Sequence, residues 1–395
     1  MTRPAGRRTR LLVAVAATTL LVGACRPPIG EGGEQDGSGG APTVYPTDTP
    51  PPAFALKPET ETNVQVRLFR GQGPADAALQ YAQALDSYRE VNLLVDIAPP
   101  IVGYDVFEVD PAAGIVTAWI GTLADVVAAP ADLDLVAAGE LVGLDPTVLV
   151  RPAAAADEPI GNLASPVVAE TAGAAASLQA ALAEAEAGSS TAQEILLLED
   201  PAAPFDPSPL LAGTAPAGAA SLYDGWARTQ EALAAAGEDP ASFAAAALRP
   251  EGQELLGELI WVLRKDFEDS AGRAAINAFV GVVVQSQIAC RDALEDCAGT
   301  VAAQSDRTPD GIVWSLDQLN RLLFPAPDGI VHVDPAAWDR TVAAMRAGGL
   351  AGLERLTFTN DVVDTVSAAF GDRLDLTGAT WTPPPEVPLI PPGTP

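Results

Sequence analysis

Apolar residues follow two alternating periodicities between residues 63 and 381. Val64 to Phe69 alternates apolar and polar positions, as a strand does, and residues 78, 81, 82 and 85 then fall on one helix face. Further strands are predicted at 93–97, 114–119, 133–138, 147–150, 165–170, 194–198 and 218–223, and helices at 172–187, from Ser270 onward, around Trp338 and around Val363. This alternation predicts an α/β fold with mostly parallel sheets covered by helices.

The first 25 residues have a different pattern. Four arginines precede an apolar run over residues 11–21, which is followed by Val22-Gly23-Ala24-Cys25. A basic start, a short apolar run and small residues are typical of a secretory signal, and the run is too short to span about 30 Å of hydrocarbon. The last four residues resemble a bacterial lipobox. We therefore expect residues 1–24 to be a signal peptide and Cys25 to carry a lipid on the extracytoplasmic side of the cell membrane. The alternative is an ordinary signal peptide that contains a cysteine.

Two segments have almost no apolar period. Residues 25–62 are rich in Gly, Pro, Ser, Thr and Glu and are predicted to be a disordered linker behind the lipid, and residues 382–395 form a proline-rich tail. The 395-residue chain is long enough for two lobes, and its net charge is −30. This charge repels phosphate backbones, so it argues against a nucleic-acid partner.

The two remaining cysteines, Cys290 and Cys297, are expected to form a disulfide outside the membrane. Within one helix their Cα atoms would be about 10 Å apart, beyond the roughly 7 Å limit for a disulfide. A helix is therefore predicted to end between them, near Leu294–Asp296. With one histidine and two cysteines besides Cys25, the chain is predicted to hold no metal and no cofactor.

Several segments in fixed order resemble the solute-binding lipoproteins of ABC importers, in the branch that handles thiamine-pyrimidine precursors and riboflavin-like compounds. They are 86–97, 114–123, 209–223, 288–297, 320–330, 334–341 and 375–381. The resemblance implies a two-lobed, type II periplasmic-binding-protein-like clamshell with a hinge. Residues 63–154 and 251–381 would form lobe 1, and residues 155–250 lobe 2. It also implies a monomer that passes a small heteroaromatic or vitamin-precursor ligand to an ABC permease.

Aromatic and polar residues at strand ends are the candidates for ligand contact, because heteroaromatic ligands need flat faces and a few oriented polar groups. The ligand-binding candidates are Phe69, Arg70, Trp119, Tyr223, Asp224 and Trp226. Core packing is the alternative for Trp119, and solvent exposure for Arg70.

The chain departs from the resembled pattern at several polar positions. Ala118 and Gly225 stand where the branch has acids, and Ala289 stands where it has an aromatic residue. The departures leave open a second function, in which an altered cleft serves sensing or envelope interactions rather than transport.

An enzyme is not expected. His332 and Asp334 lie two residues apart in an alternating stretch, which is a weak sign of a catalytic base, and we predict no catalytic residues. No phosphate-binding loop of the GxxxxGK[ST] kind and no Gly-x-Ser-x-Gly elbow occurs.

Overall fold

The computed structural model describes residues 52–102, 104–109, 114–164, 166–185, 194–197 and 203–385, and within them the strands form two separate sheets. The strands are β1 (Thr62–Leu68), β2 (Leu93–Ala98), β3 (Ile115–Gly121), β4 (Leu135–Glu140), β5 (Thr147–Pro152), β6 (Val167–Ala169), β7 (Ile195–Leu197), β8 (Ala217–Ser221), β9 (Phe243–Ala247), β10 (Leu259–Leu263) and β11 (Thr357–Phe358). The helices are α1 (Ala77–Ala84), α2 (Ser87–Glu90), α3 (Leu123–Val126), α4 (Ala172–Ala185), α5 (Ser208–Leu211), α6 (Ala227–Ala235), α7 (Arg264–Glu268), α8 (Ser270–Asp292), α9 (Leu294–Ala302), α10 (Pro309–Leu323), α11 (Pro335–Ala347) and α12 (Asp361–Phe370).

Each sheet is parallel apart from one inserted strand. The orders are β11-β4-β10-β3-β1-β2 and β7-β6-β8-β5-β9. β10 is antiparallel to both β3 and β4, and β5 is antiparallel to both β8 and β9, while the other pairs are parallel. β5 and β10 are the strands that the chain enters directly after it passes from one sheet to the other. The predicted α/β class with mostly parallel sheets is therefore confirmed.

The two crossings define the lobes. We call residues 62–140 and 259–385 the first lobe, residues 147–247 the second lobe, and residues 141–146 and 248–258 the crossings. The boundary predicted at residue 154 is too late, because β5 pairs with β8 and β9 and so belongs to the second lobe. The apolar run at 147–150 does not itself reveal which sheet it joins. The return boundary predicted at residue 250 falls within the second crossing.

The linker was predicted to be disordered through residue 62, but from residue 52 onward it contacts the first lobe. A short 3₁₀ turn spans Pro52–Leu56, and its buried Ala53 donates a backbone hydrogen bond to Gln285 Oε1 at 3.2 Å. Leu56 packs against the core of the first lobe. The signal peptide at 1–24, the lipid on Cys25, most of the linker and tail residues 386–395 lie outside the described residues and stay predictions.

α8 is the central helix of the first lobe. It begins at Ser270, as predicted, and its N-cap is Asp269, whose carboxylate accepts from the backbone N of Ala271 at 3.0 Å and of Gly272 at 2.9 Å. Among the described helices it is the one long and apolar enough to cross a membrane, and 78% of its apolar window is buried inside the fold. Buried in this way, α8 is a core element of the first lobe.

The two cysteines are bonded in the structure, and their Cα atoms are 5.1 Å apart. α8 ends at Asp292 and α9 begins at Leu294, with Ala293 between them outside the helical region at φ −125° and ψ 58°. The helix break thus lies between the cysteines, immediately before the predicted segment. Both cysteines are buried against the core of the first lobe.

Candidate functional site

A cavity of about 270 Å³ lies between the lobes, where strands of both sheets end. Arg70 follows β1 and Thr122 follows β3 in the first lobe, while Glu170 follows β6 and Tyr223 follows β8 in the second. The carboxyl ends of parallel strands are where open α/β sheets place their ligands. The cavity therefore occupies the position expected for a binding site.

The two crossings run side by side along one wall of this cavity. Leu141 N donates to Glu258 O at 2.7 Å, and Asp145 N donates to Leu255 O at 2.8 Å. At Gly257 a Cβ atom would lie 2.4 Å from the carbonyl oxygen of Val142, so only glycine permits this close approach. This hydrogen-bonded pair of crossings lies where the resemblance predicts a hinge between the lobes.

Arg70 lines the cavity, but its charge is already matched by protein groups. Its Nε and Nη2 donate to the two oxygens of Glu258 at 2.5 and 2.6 Å. Nη1 and Nη2 donate to the two oxygens of Asp76 at 2.6 and 3.1 Å, and Nη1 also donates to Gly71 O at 3.1 Å. Burial opposes the charged form, yet the attraction of Asp76 and Glu258 outweighs it and raises the guanidinium pKa. All five N–H groups are thus in use, and Arg70 positions two carboxylates rather than awaiting an anion.

Two other carboxylates in the cavity make no direct ion pair with an arginine or lysine of the described residues, although the charge of Arg249 acts on Asp145. Glu170 accepts hydrogen bonds from the backbone N and the hydroxyl of Ser221. Burial and the charge of Asp224 raise its pKa to about 7. Asp145 accepts from the N and Oγ1 of Thr147 at 3.0 and 2.6 Å, and burial raises its pKa as well. Glu170 therefore gains or loses its proton near neutral pH, and burial makes Asp145 easier to protonate than an ordinary aspartate.

Tyr223 brings an aromatic ring and a hydroxyl to the same cavity. The residue is 3% exposed, and its hydroxyl makes no hydrogen bond to any described residue. Burial, and then the negative charge of Glu258, raise its pKa far above the ordinary value, so the hydroxyl keeps its proton. A hydroxyl of a cavity-lining residue that has no described protein partner is a group that a ligand can satisfy.

An ionic network joins the lobes beside the cavity. Arg307 of the first lobe donates to Asp224 Oδ1 at 3.2 Å and to Glu231 Oε1 at 3.0 Å, both in the second lobe. Its side chain is only 2% exposed and also donates to Ser315 Oγ at 2.7 Å. Arg228 of the second lobe reaches back to Asp306 at 2.9 Å. The predicted site residue Asp224 thus serves mainly to bind arginines from both lobes.

Three of the predicted ligand residues lie outside the cavity. Trp119 is 0% exposed, and its Nε1 donates to Val106 O at 2.9 Å, so it has the core role that was its alternative. Phe69 packs on Phe107 with ring centroids 5.3 Å apart. Trp226 packs on a buried apolar cluster of the second lobe that includes Val148 and Val150 of β5. Arg70, Tyr223 and Asp224 are the three that the structure brings together.

His332 does not have the catalytic arrangement considered for it. The stretch around it is not a strand, and the Asp334 carboxylate caps α11 by accepting from the backbone N of Ala336 and Ala337. Asp334 is therefore engaged by the helix and does not orient the imidazole.

The most important site residues missed by the sequence are acids at crossings and strand ends. Asp145 and Glu258 belong to the crossings, and Glu170 directly follows β6. A signal was available: Glu170 follows a parallel strand, and Asp145 and Glu258 stand just before β5 and β10, whose antiparallel direction brings their starts to the same edge as the ends of the parallel strands.

No protein-family profile matches the chain, and no curated protein matches it in sequence. Solved structures do share its fold. A protein from Bordetella bronchiseptica RB50 superposes with a TM-score of 0.55 at 11% identity, covering 80% of this chain and 99% of that chain. The alkanesulfonate-binding protein SsuA from Xanthomonas axonopodis pv. citri, bound to MOPS, gives 0.51 at 16% identity, covering 77% and 99%.

The periplasmic aliphatic sulphonate binding protein SsuA from Escherichia coli gives a TM-score of 0.50 at 15% identity, covering 72% of this chain and 85% of that chain. At such identities the likeness concerns the fold alone. The chain therefore has the two-lobed fold of periplasmic binding proteins, as the sequence predicts.

Proposed function

We propose that this protein is an extracytoplasmic solute-binding lipoprotein of an ABC importer that holds a small ligand in the cavity between its lobes. The observation that carries the proposal is the cavity itself, formed where strands of both sheets end and beside two hydrogen-bonded crossings. Ligand contacts from both lobes would favour the closed arrangement, and the closed pair of lobes would dock on a membrane permease.

The ligand we propose is a small heteroaromatic or vitamin-precursor compound, pyrimidine-like or riboflavin-like. Two buried aromatic residues, Tyr223 and Phe205, line the cavity and can contact a flat ring. Glu170 and the Tyr223 hydroxyl can exchange hydrogen bonds with ring nitrogens or an exocyclic amine. The sequence resemblance to thiamine-precursor binding lipoproteins supports the same class.

We also propose that the protein binds rather than converts its ligand. The cavity contains carboxylates, arginines and one tyrosine, but none of the described residues pairs a serine or cysteine nucleophile with a histidine base there. A single solute site without covalent chemistry is what import requires.

Thermal unfolding of the purified full chain tests the binding role. The panel contains pyrimidine precursors, thiamine, riboflavin, purines and alkanesulfonates. A ligand at 100 times its Kd adds about 2.7 kcal/mol to the free energy of unfolding, which raises Tm by several degrees. Tyr223→Ala should abolish the shift, whereas Tyr104→Ala, at an exposed residue outside this cavity, should retain it. A shift that survives Tyr223→Ala would contradict the proposed site.

Membrane attachment has its own test. Fractionation of cells that express the chain should place it with membranes, and Cys25→Ser should release it or leave its signal uncleaved. An unchanged membrane fraction for Cys25→Ser would contradict lipid anchoring.

A second function is favoured by the contacts between the lobes. α4 of the second lobe packs on α11 of the first, and Arg307 joins the lobes on another side. Lobes that are held together by their own side chains do not need a ligand to close, as expected for a non-transport sensing or envelope interaction protein. Small-angle scattering distinguishes the two functions: an importer component should contract on binding its ligand, and a permanently closed clamshell should keep one radius of gyration.

A further inference from the structure

The charges that line the inter-lobe cavity are unequal in number and in availability. Five carboxylates line it, from Asp145, Glu170, Asp224, Glu258 and Asp306, against two guanidinium groups, from Arg70 and Arg228. Both guanidinium groups already pair with carboxylates, and Arg307 binds Asp224 from outside the lining. Of the five acids, Glu170 and Asp145 make no direct ion pair with an arginine or lysine of the described residues, and an anion entering the cavity would meet their negative charge.

The carboxylates that lack a cationic partner are the ones free to accept more hydrogen bonds. Glu170 receives donors only from Ser221, and Asp145 only from hydroxyl and backbone groups, within the part of the chain that the structure describes. An ionised carboxylate offers about four acceptor positions. At least one position on Glu170 therefore remains for a donor from a ligand.

The N-terminus of α4, which borders the cavity, would ordinarily attract an anion. Here the chain supplies that negative charge itself, because Glu170 lies two residues before the helix. The Thr171 hydroxyl also accepts from Ala174 N at 3.0 Å and so caps the first turn. The helix end therefore adds little attraction for an anionic ligand.

Tyr223 supplies an independent indication of a ligand. The residue is 3% exposed, its hydroxyl makes no hydrogen bond to a described residue, and it lines the cavity together with Glu170 and Glu258. A tyrosine ring beside carboxylates is suited to a cation, which interacts with the ring face and donates to the acids.

We infer that the cavity binds a small organic cation with N–H donors, such as an amidinium, a primary ammonium or a protonated aminoheterocycle, with Glu170 as its counter-ion and Tyr223 as its aromatic wall. The inference rests on the proposed function, because it assigns a charge class to the same ligand. A protonated aminopyrimidine would be both a heteroaromatic ligand of the proposed kind and an organic cation.

Three flat molecules of nearly the same shape test the charge directly. Benzamidine is positive, benzamide is neutral and benzoate is negative. Isothermal titration of the full chain at pH 8 should give a Kd for benzamidine at least tenfold lower than for benzamide, and benzoate should be the weakest. This comparison uses the unaltered protein, so it does not depend on the folding of a variant.

Glu170→Gln keeps the side-chain shape and removes the charge. It should weaken benzamidine about ten- to one-hundred-fold, the range for a hydrogen bond to a charged group, and should leave benzamide nearly unchanged. Glu158→Gln, at an exposed residue of the same lobe, is the matched control and should leave all three affinities unchanged.

Equal or tighter binding of benzamide or benzoate, or unaltered benzamidine binding in Glu170→Gln, would overturn the cation inference. If neutral or anionic compounds of the thermal-unfolding panel bind in the cavity while benzamidine does not, the cation inference is wrong but the solute-binding role is supported. If nothing in either panel binds, both the cation inference and the solute-binding role fail.

Discussion

Arg307→Met should cost the protein much of its stability and loosen the contact between the lobes. Arg307 is 2% exposed and donates to Glu231, Asp224 and Ser315. It also donates to the backbone oxygens of Gly311 at 3.0 Å and Tyr223 at 3.3 Å. Methionine fills a similar volume but cannot satisfy any of these acceptors.

The magnitude follows from what the substitution leaves behind. Removing one partner of a buried ion pair costs about 3–5 kcal/mol. Glu231 is 26% exposed and can be rehydrated, and Asp224 keeps Arg228, so we expect about 3 kcal/mol. Most domains have about 5–15 kcal/mol in total, so the loss should be plain in the free energy of unfolding.

Urea unfolding at pH 7 measures this loss, and small-angle scattering measures lobe separation in the same samples. Arg89→Met is the control, because Arg89 and its partner Asp86 are exposed and 3.8 Å apart. It should change stability by less than about 0.5 kcal/mol. A loss below about 1 kcal/mol for Arg307→Met, a typical value for a single exposed pair, would refute the importance of the network.

Three further outcomes are expected. Gly257→Ala would place Cβ 2.4 Å from Val142 O and should cost about 1–3 kcal/mol, whereas Gly161→Ala, with open space around it, should cost far less; equal urea midpoints would contradict the hinge geometry. Replacing Cys290 and Cys297 by serine opens a short loop and should cost about 2–3 kcal/mol, measured against the parent under oxidising conditions, and no loss would contradict it. The pKa of Glu170 is raised to about 7 in the fold, where Arg70, Asp224 and Ser221 face it. Its contribution to the free energy of unfolding should therefore fall as pH rises from about 4.5 to about 7. Glu170→Gln should abolish that fall, and identical stability–pH profiles for the parent and the variant would refute the shift.

The first eight strands could be predicted from the apolar pattern of the sequence. The strands that become β1 to β8 follow short apolar runs or alternations, and their bounds agree with the structure to within about two residues. β9 could not be read in this way. Phe243–Ala247 is an alanine run with high helix propensity, and it becomes a strand because it pairs with β5 at the sheet edge.

Part of the candidate site could also be predicted from the apolar pattern. Strand ends identify where ligands bind, and Tyr223 and Arg70 were found from them. The periodicity does not say which face a strand-end residue takes, so Trp119 was predicted to contact the ligand, whereas it lies in the buried apolar core of the first lobe. Arg307 lies in a polar turn with no pattern of its own, and only the fold brings it to Asp224.

The inserted strands also bear on the order in which the chain can fold. β10 lies between β3 and β4, so the first four strands cannot complete their sheet without a segment that comes much later in the chain. β10 ends at residue 263, more than 120 residues after β4 ends. Contacts of such long sequence separation form slowly. The first lobe should therefore stay open and protease-sensitive until the entire second lobe and β10 have reached the compartment in which the protein folds.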